Sequence, residues 1–169
     1  MKTFVASLVC LLTLLTATAG AQVPHVLGVW ELDPAASSIP PGFPLASETR
    51  SYDLRSDGYM ANLVVRKLAN GRPDFIQIVS KSDGKDYSQY QSVPLAEFQV
   101  NGTQTPATYS ETIIDDYSVN IIAKVGGRVN NKGVRSISAD GKTMTIKVVA
   151  IAPNGQETPI TLVFKRTSA

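Results

Sequence analysis

The stretch from Ser138 to Arg166, SADGKTMTIKVVAIAPNGQETPITLVFKR, decides the fold class of this chain. Apolar side chains recur at every second position in its two halves, at Met144, Ile146 and Val148 and at Ile160, Leu162 and Phe164. A period of two places alternate side chains on opposite faces, as in a half-buried strand. Asp140-Gly141 and Asn154-Gly155 adopt positive φ at little steric cost and lie where the chain must reverse. The stretch therefore predicts an antiparallel hairpin.

The rest of the chain repeats this unit between turn residues. Further strands are predicted at 26–32, 48–55, 59–68, 74–81, 86–91, 109–115, 117–125 and 128–138. This makes about ten strands without the crossover helices that a parallel sheet requires. Closure of such an antiparallel meander into an up-and-down barrel would remove its exposed edges. A β-sandwich is the alternative, because its long return connection could come from Ser92–Thr108.

Ser92–Thr108 is longer than the turns that join the other predicted strands. It contains Pro94, Pro106 and the turn pair Asn101-Gly102, around a short apolar piece at 95–100. Because connections within compact domains are mostly shorter, we expect Ser92–Thr108 to form either a lid or an irregular edge.

The first 21 residues have the layout of a secretory signal peptide. Lys2 precedes the mostly apolar run Phe4–Leu15, and a tail of small residues ends in Ala19-Gly20-Ala21, before a predicted cut at Gln22. An uncleaved membrane anchor is the alternative, but the apolar run is shorter than the roughly 20 residues that span a bilayer. We therefore expect a single domain over residues 22–169, secreted or periplasmic, with no integral membrane segment after cleavage.

Composition excludes several classes of function. The only cysteine, Cys10, lies in the signal peptide, and the only histidine, His25, lies near the start of the mature chain. These residues provide neither a disulfide framework nor a zinc site, and no cofactor motif is present. The 16 basic and 14 acidic residues are interleaved, with a formal net charge of +2. This pattern argues against nucleic acid or an anionic membrane surface as the main partner.

Three motifs resemble those of a family of small bacterial exported proteins. Residues 28–37, GVWELDPAAS, are similar to the family's G-x-W-x-L-[ND]-P-A-x-S opening. DGKDY at 83–87 and SADGKTMT at 138–145 agree with two further signatures. The resemblance covers nearly the whole mature chain and implies a lipocalin-like barrel in a periplasmic or secreted protein. Because these motifs are signatures of turns and packing, the resemblance transfers no catalytic residue.

Polar and aromatic residues on the strands are the candidates for a site inside the barrel. The candidate ligand-binding residues are Trp30, Asn62, Gln77, Tyr90 and Arg135, and the candidate catalytic residues are Glu111, Tyr87 and Arg66. If they point inward, they form a polar patch in an apolar cavity, as small-molecule sites do. A buried Glu111 beside an arginine could then act as an acid or a base. Alternatively, Glu111, Arg66 and Arg135 are cross-strand charges on the outer face.

Three functions are compatible with this pattern. The first is the binding of an apolar or amphipathic small molecule inside the barrel. The second is a cofactor-independent enzyme, such as an isomerase, cyclase or hydrolase, that uses a buried carboxylate or tyrosine in the same cavity. The third is a structural envelope module whose interior is packed with its own side chains.

Overall fold

The computed structural model describes residues 25–43, 45–91, 99–100, 103–104 and 106–168. Within these ranges the chain forms twelve strands and no helix. The strands are β1 (Gly28–Leu32), β2 (Leu45–Leu54), β3 (Met60–Leu68), β4 (Pro73–Ser80), β5 (Tyr87–Gln91), β6 (Gln99–Val100), β7 (Thr103–Gln104), β8 (Ala107–Asp115), β9 (Ser118–Val125), β10 (Arg128–Ile137), β11 (Thr143–Ile151) and β12 (Glu157–Ser168).

Ten of these strands form a closed antiparallel barrel. Its order is β1-β12-β11-β10-β9-β8-β5-β4-β3-β2, and β1 pairs with both β2 and β12 to close the sheet. Neighbouring strands mostly follow one another in the chain, so the topology is an up-and-down meander. The prediction of such a barrel is confirmed, and the sandwich alternative is wrong. The remaining strands, β6 and β7, pair with each other.

The half-buried hairpin that the alternation predicts is formed by β11 and β12, and its apolar face is the interior one. Met144, Ile146 and Val148 on β11 are buried, and the register sets them opposite Phe164, Leu162 and Ile160 on β12. The strand bounds differ from the predicted ones by a few residues. The largest differences are at β2, which begins at Leu45, and β8, which begins at Ala107.

Two predictions fall wholly or mostly outside the described residues. The signal peptide at 1–21 is one of them. The other is Ser92–Thr108, of which only β6, β7, Pro106 and the start of β8 are described. A helix that could span a membrane is not found among the described residues.

One end of the barrel is filled with large side chains, and we call it the closed end. Its turns lie at 55–59, 81–86, 116–117 and 138–142, and Trp30, Tyr52, Met144 and Phe164 are almost fully buried there. The indole Nε1 of Trp30 donates a hydrogen bond of 2.7 Å to the carbonyl of Val26. These large side chains leave little room for a ligand at this end.

Arg166 covers the closed end from the last strand. Its guanidinium carbon lies 4.2 Å from the centroid of the Trp30 ring, within the range of a cation–π contact. The same guanidinium donates hydrogen bonds to the carbonyls of His25, Leu27 and Gly141. Arg166 therefore ties the start of the described chain to its last strand.

Gly133 allows two strands of the barrel to approach closely. It lies on β10 opposite Val148 of β11. A Cβ atom at this position would lie 2.0 Å from the backbone carbonyl oxygen of Lys147 and 2.7 Å from the Cα of Val148. Because both atoms belong to the backbone, they cannot move aside without displacing β11.

We expect Gly133→Ala to lower the free energy of unfolding by about 3 kcal/mol, because the added methyl group overpacks the sheet. Gly127→Ala is the control, since Gly127 has open space around it and a φ of 77°. Its cost should be about 1 kcal/mol, from left-handed backbone strain alone. Urea unfolding followed by circular dichroism measures both values, and equal losses would contradict the close approach of β10 and β11.

Candidate functional site

A cavity of about 600 Å³ occupies the other end of the barrel, which we call the open end. The described turns at 69–72, 126–127 and 152–156 lie there, and β1 and β2 are joined at the same end. The exposed side chain of Arg128 is part of the lining, so the cavity reaches the surface at this end. The interior is therefore packed in one half and hollow in the other.

Aliphatic side chains form one wall of the cavity. They come from β9, β11 and β12, and they are Ile121, Ala123, Val125, Ile146, Val148, Ala150, Ile160 and Leu162. Each faces inward because it occupies alternate positions of its strand. These side chains offer apolar surface to a ligand on both sides of β10, which contributes Asn130 and Asn131 to the lining.

The wall formed by β2, β3 and β4 is charged. The register places Glu48 opposite Arg66, and Arg66 opposite Asp74, so acid, base and acid lie in a row across three strands. Arg66 Nη2 lies 2.9 Å from Asp74 Oδ2, and Arg50 Nε lies 2.5 Å from Glu48 Oε1. All four side chains line the cavity. Two ion pairs thus set two positive charges against two negative ones.

The Glu48–Arg50 pair keeps its arginine charged. Burial alone would lower the pKa of Arg50, but the carboxylate of Glu48 and the hydroxyl of Tyr52 raise that pKa above its ordinary value. The guanidinium also lies 5.3 Å from the centroid of the Phe164 ring. Arg50 is therefore held by neighbours on several sides.

Four polar side chains of the lining, Arg66 among them, each have an atom without a hydrogen-bond partner among the described residues. Arg66 Nε, Gln91 Oε1, Asn130 Oδ1 and Asn131 Oδ1 are buried and have no hydrogen-bond partner among the described residues. We call Arg66, Gln91, Asn130 and Asn131 the polar belt. Buried polar atoms in native proteins are nearly always hydrogen-bonded to protein, water or ligand. The polar belt is therefore a set of binding positions that the barrel itself does not satisfy.

A β-bulge brings two members of the belt to the cavity. The register between β9 and β10 shifts between Val129, which faces Lys124, and Asn131, which faces Ala123. A bulge inserts one extra residue and re-aims side chains, which alternation alone would send to opposite faces. As a result, the consecutive residues Asn130 and Asn131 both line the cavity.

Beneath the cavity lies a buried network around Glu111. Tyr109 lines the cavity and donates a hydrogen bond of 2.5 Å from its hydroxyl to Glu111 Oε1. Ser82 Oγ donates to Glu111 Oε2 at 2.9 Å. Arg135 Nη1 lies 2.8 Å from Oε1, and Arg135 Nη2 donates to Oε2 at 3.2 Å. Three side chains thus hold the carboxylate, which is not part of the cavity lining.

Burial and charge shift the titration of two members of this network. Burial, followed by the negative charge of Glu111, raises the pKa of Tyr109 well above its ordinary value. Burial would lower the pKa of Arg135, but Glu111, Tyr52 and Tyr109 together raise it. At neutral pH Tyr109 is therefore a hydrogen-bond donor, and Arg135 carries its charge.

The structure places the sequence-predicted residues at different depths. Glu111, Arg66 and Arg135 all lie inside the barrel, so the alternative that put them on the outer face is wrong. Asn62 is also buried, and its Oδ1 has no partner in the described part of the chain. Of these four, only Arg66 contributes to the cavity wall.

Four other candidates do not line the cavity. Gln77 is exposed and Tyr90 is 63% exposed, so both lie on the outer face, which corrects the expectation that they point inward. Trp30 belongs to the packing of the closed end. Tyr87 donates from its hydroxyl to Asp83 at 3.0 Å and meets the Tyr59 ring edge to face.

Sequence reasoning missed most polar residues of the cavity. Glu48, Arg50, Asp74, Gln89, Gln91, Asn130 and Asn131 line it, and none was a candidate. One signal was present: Glu48, Arg50 and Tyr52 share a face by alternation. However, every side chain from Glu48 to Asp53 is polar or carries a hydroxyl group, so the pattern could not indicate which face is interior.

Metal ligands and similarity to known proteins give no further assignment. In the described ranges no group of three His, Cys, Asp or Glu side chains could hold a metal ion. Comparison with protein-family models and with curated proteins gives no match. The geometry of the cavity is therefore what bears on function.

We expect Glu111→Gln to lower the free energy of unfolding by about 3 kcal/mol, because it leaves the buried charge of Arg135 without its partner. Lys132→Gln is the control, since it removes an exposed ion pair with Glu157 and should cost no more than about 0.5 kcal/mol. Chemical denaturation measures both. A Glu111→Gln protein of normal stability would show that the network is not structural.

We also expect Tyr109 to make the barrel less stable in alkali. An unfolded tyrosine titrates near pH 10, whereas burial raises the pKa of Tyr109 in the folded state. Below about pH 10 both states keep the proton. At higher pH the unfolded chain loses it first, so the free energy of unfolding falls as pH rises. Urea unfolding between about pH 8 and pH 11 should show a shallower fall for Tyr109→Phe. The outer-face control Tyr90→Phe should follow the wild type, and an unchanged slope for Tyr109→Phe would contradict the assignment.

Proposed function

We propose that this protein binds an apolar or amphipathic small molecule in the cavity at its open end. The observation that carries the proposal is a hollow of about 600 Å³ that reaches the surface and has one aliphatic and one polar wall. Ligand pockets typically measure about 300–1,000 Å³ and combine apolar lining with a few polar groups. Both the size and the lining of this cavity fit that description.

The enzymatic alternative has less support. It requires Glu111 or a tyrosine to meet the bound molecule. The Glu111 carboxylate is held by Tyr109, Ser82 and Arg135 outside the cavity lining, and the raised pKa of Tyr109 does not suit a base. The structural alternative requires an interior filled by the protein's own side chains, whereas the open end of the barrel contains a cavity of about 600 Å³.

We further propose that the barrel acts after export. The signal-peptide pattern of residues 1–21 and the resemblance to small bacterial exported lipocalin-like proteins support a secreted or periplasmic location. The expected mature chain, residues 22–169, contains no cysteine, so no disulfide can stabilise it after export. Its stability there must come from its core and its strand pairing.

The first test is native mass spectrometry of the mature protein purified gently from its own host. A retained molecule of discrete mass supports the proposal and identifies the chemical class of the ligand. Monodecanoylglycerol, decanoate and decylamine are then titrated into the protein by calorimetry. If no molecule is retained and none of the three probes binds, the proposal fails.

Filling the cavity should abolish binding. Val64 and Val65 are neighbours on β3, but Val64 is buried and lines the cavity, whereas Val65 is 49% exposed on the outer face. We expect Val64→Trp to weaken binding of the retained molecule or of the best probe by about tenfold or more, because the indole occupies ligand space. Val65→Trp should bind as the wild type does. Circular dichroism confirms that both variants fold, and equal binding by folded variants would locate the site elsewhere.

A further inference from the structure

We infer that the ligand of this cavity has an uncharged head that carries more than one hydroxyl group, attached to an apolar body. The inference rests on the proposed binding function and specifies the chemistry of its ligand. Two independent observations support it: the four paired charges of the cavity wall cancel, and the polar belt presents unbonded atoms from opposite sides of the barrel.

The first observation concerns charge. Of the five charged side chains that line the cavity, Glu48 is paired with Arg50, and Asp74 with Arg66. The fifth, Arg128, is exposed, so solvent screens it. A carboxylate or ammonium head that enters the cavity leaves water and finds no unpaired opposite charge. Desolvation of a charge without such a partner is costly.

The two ion pairs of the cavity wall disfavour a ligand head of either charge. A carboxylate that approached Arg66 would also approach Asp74, whose Oδ2 lies 2.9 Å from Arg66 Nη2. An ammonium group that approached Glu48 would likewise meet Arg50 at 2.5 Å from that carboxylate. Repulsion from the second member of each pair offsets the attraction to the first.

The second observation concerns hydrogen bonds. The polar belt contains one guanidinium N–H and three side-chain amides whose oxygens have no partner among the described residues. A hydroxyl group both donates and accepts, so it can bond to an amide oxygen and to a guanidinium N–H. A hydrocarbon head satisfies neither, and a carboxylate cannot donate to the amide oxygens.

The placement of the belt sets the number of hydroxyl groups. In the ten-strand order, β3 and β10 are five strands apart in either direction. Arg66 on β3 therefore faces Asn130 and Asn131 on β10 across the cavity. Gln91 on β5 lies between them on the side of β8. One hydroxyl group cannot bond to both sides, whereas a polyol head such as glycerol offers hydroxyls in more than one direction.

The rest of the lining accommodates the apolar body. The aliphatic side chains of β9, β11 and β12 lie on both sides of the belt residues of β10, and these three strands contribute no charged side chain to the lining. The ligand is thus held by hydrogen bonds to the belt while its apolar part covers the aliphatic wall.

Three probes with the same carbon chain test the inference. Monodecanoylglycerol has an uncharged diol head, decanoate is anionic, and decylamine is cationic. Calorimetric titration is performed at a pH where both charged probes are ionised. We expect monodecanoylglycerol to bind at least about tenfold more tightly than either charged probe. Decanoate or decylamine binding as tightly as monodecanoylglycerol overturns the inference while the binding function stands. If none of the three binds and no molecule is retained, the binding function itself fails.

Two variants address the two observations separately. Gln91→Leu removes one amide of the polar belt and should weaken binding of monodecanoylglycerol about tenfold. Gln77→Leu makes the same change on the outer face of the adjacent strand β4 and should leave binding unchanged. Equal binding by Gln91→Leu and Gln77→Leu would contradict the role of the belt.

Asp74→Asn tests the charge argument without removing a side chain. It leaves the charge of Arg66 without its partner and makes the cavity wall positive. We expect the affinity for decanoate to rise about tenfold, while that for monodecanoylglycerol changes little. An unchanged affinity for decanoate in a variant that folds, as judged by circular dichroism, overturns the charge argument.

Discussion

The whole barrel depends on the pairing of one short strand, β1, with both β2 and β12. Five residues, Gly28–Leu32, join the beginning of the meander to its end, and without them the sheet would have two open edges. The β1–β12 pairing spans nearly the full length of the chain, so it carries the largest loop-closure cost. That cost is offset where Trp30 packs with Phe164 and Met144, all three of which are completely buried. The largest side chains of the core therefore lie where closure needs them most.

Concentrating the bulky side chains at one end leaves the other end hollow. A hollow barrel can accept polar groups inside, provided that each charge has a partner. The interior charges follow this requirement in two ways. Around Glu111 both carboxylate oxygens are held, by Tyr109, Ser82 and Arg135, although Arg135 Nη1 has an ion pair and no hydrogen bond among the described residues. In the wall above, the ion pairs cancel in charge but leave the polar belt incompletely bonded. The two layers differ in access: the belt lines the cavity, whereas Glu111 and Arg135 do not.

The fold could be predicted from the sequence because the outer face of β11 and β12 is largely polar, which makes the period of two unambiguous. The interior surface could not be predicted in the same way. On β4, Phe75 and Ile76 are adjacent apolar residues on opposite faces, so Gln77 was assigned to the wrong one. The bulge on β10 breaks the period itself, and both Asn130 and Asn131 line the cavity against the rule of alternation. Register and bulges arise from pairing between strands, and a single strand's pattern does not contain them.

Trp30 lies on the strand that closes the barrel, so its fluorescence reports whether the barrel is closed. It is the only tryptophan, it is held between Val26 and Arg166 at the closed end, and it is not part of the cavity lining. Its fluorescence should be that of a dry indole while β1 bridges its two neighbours, and it should shift to the red when that bridge opens. Occupancy of the cavity leaves this environment unaltered. A change in Trp30 fluorescence therefore reports opening of the barrel and not filling of its interior.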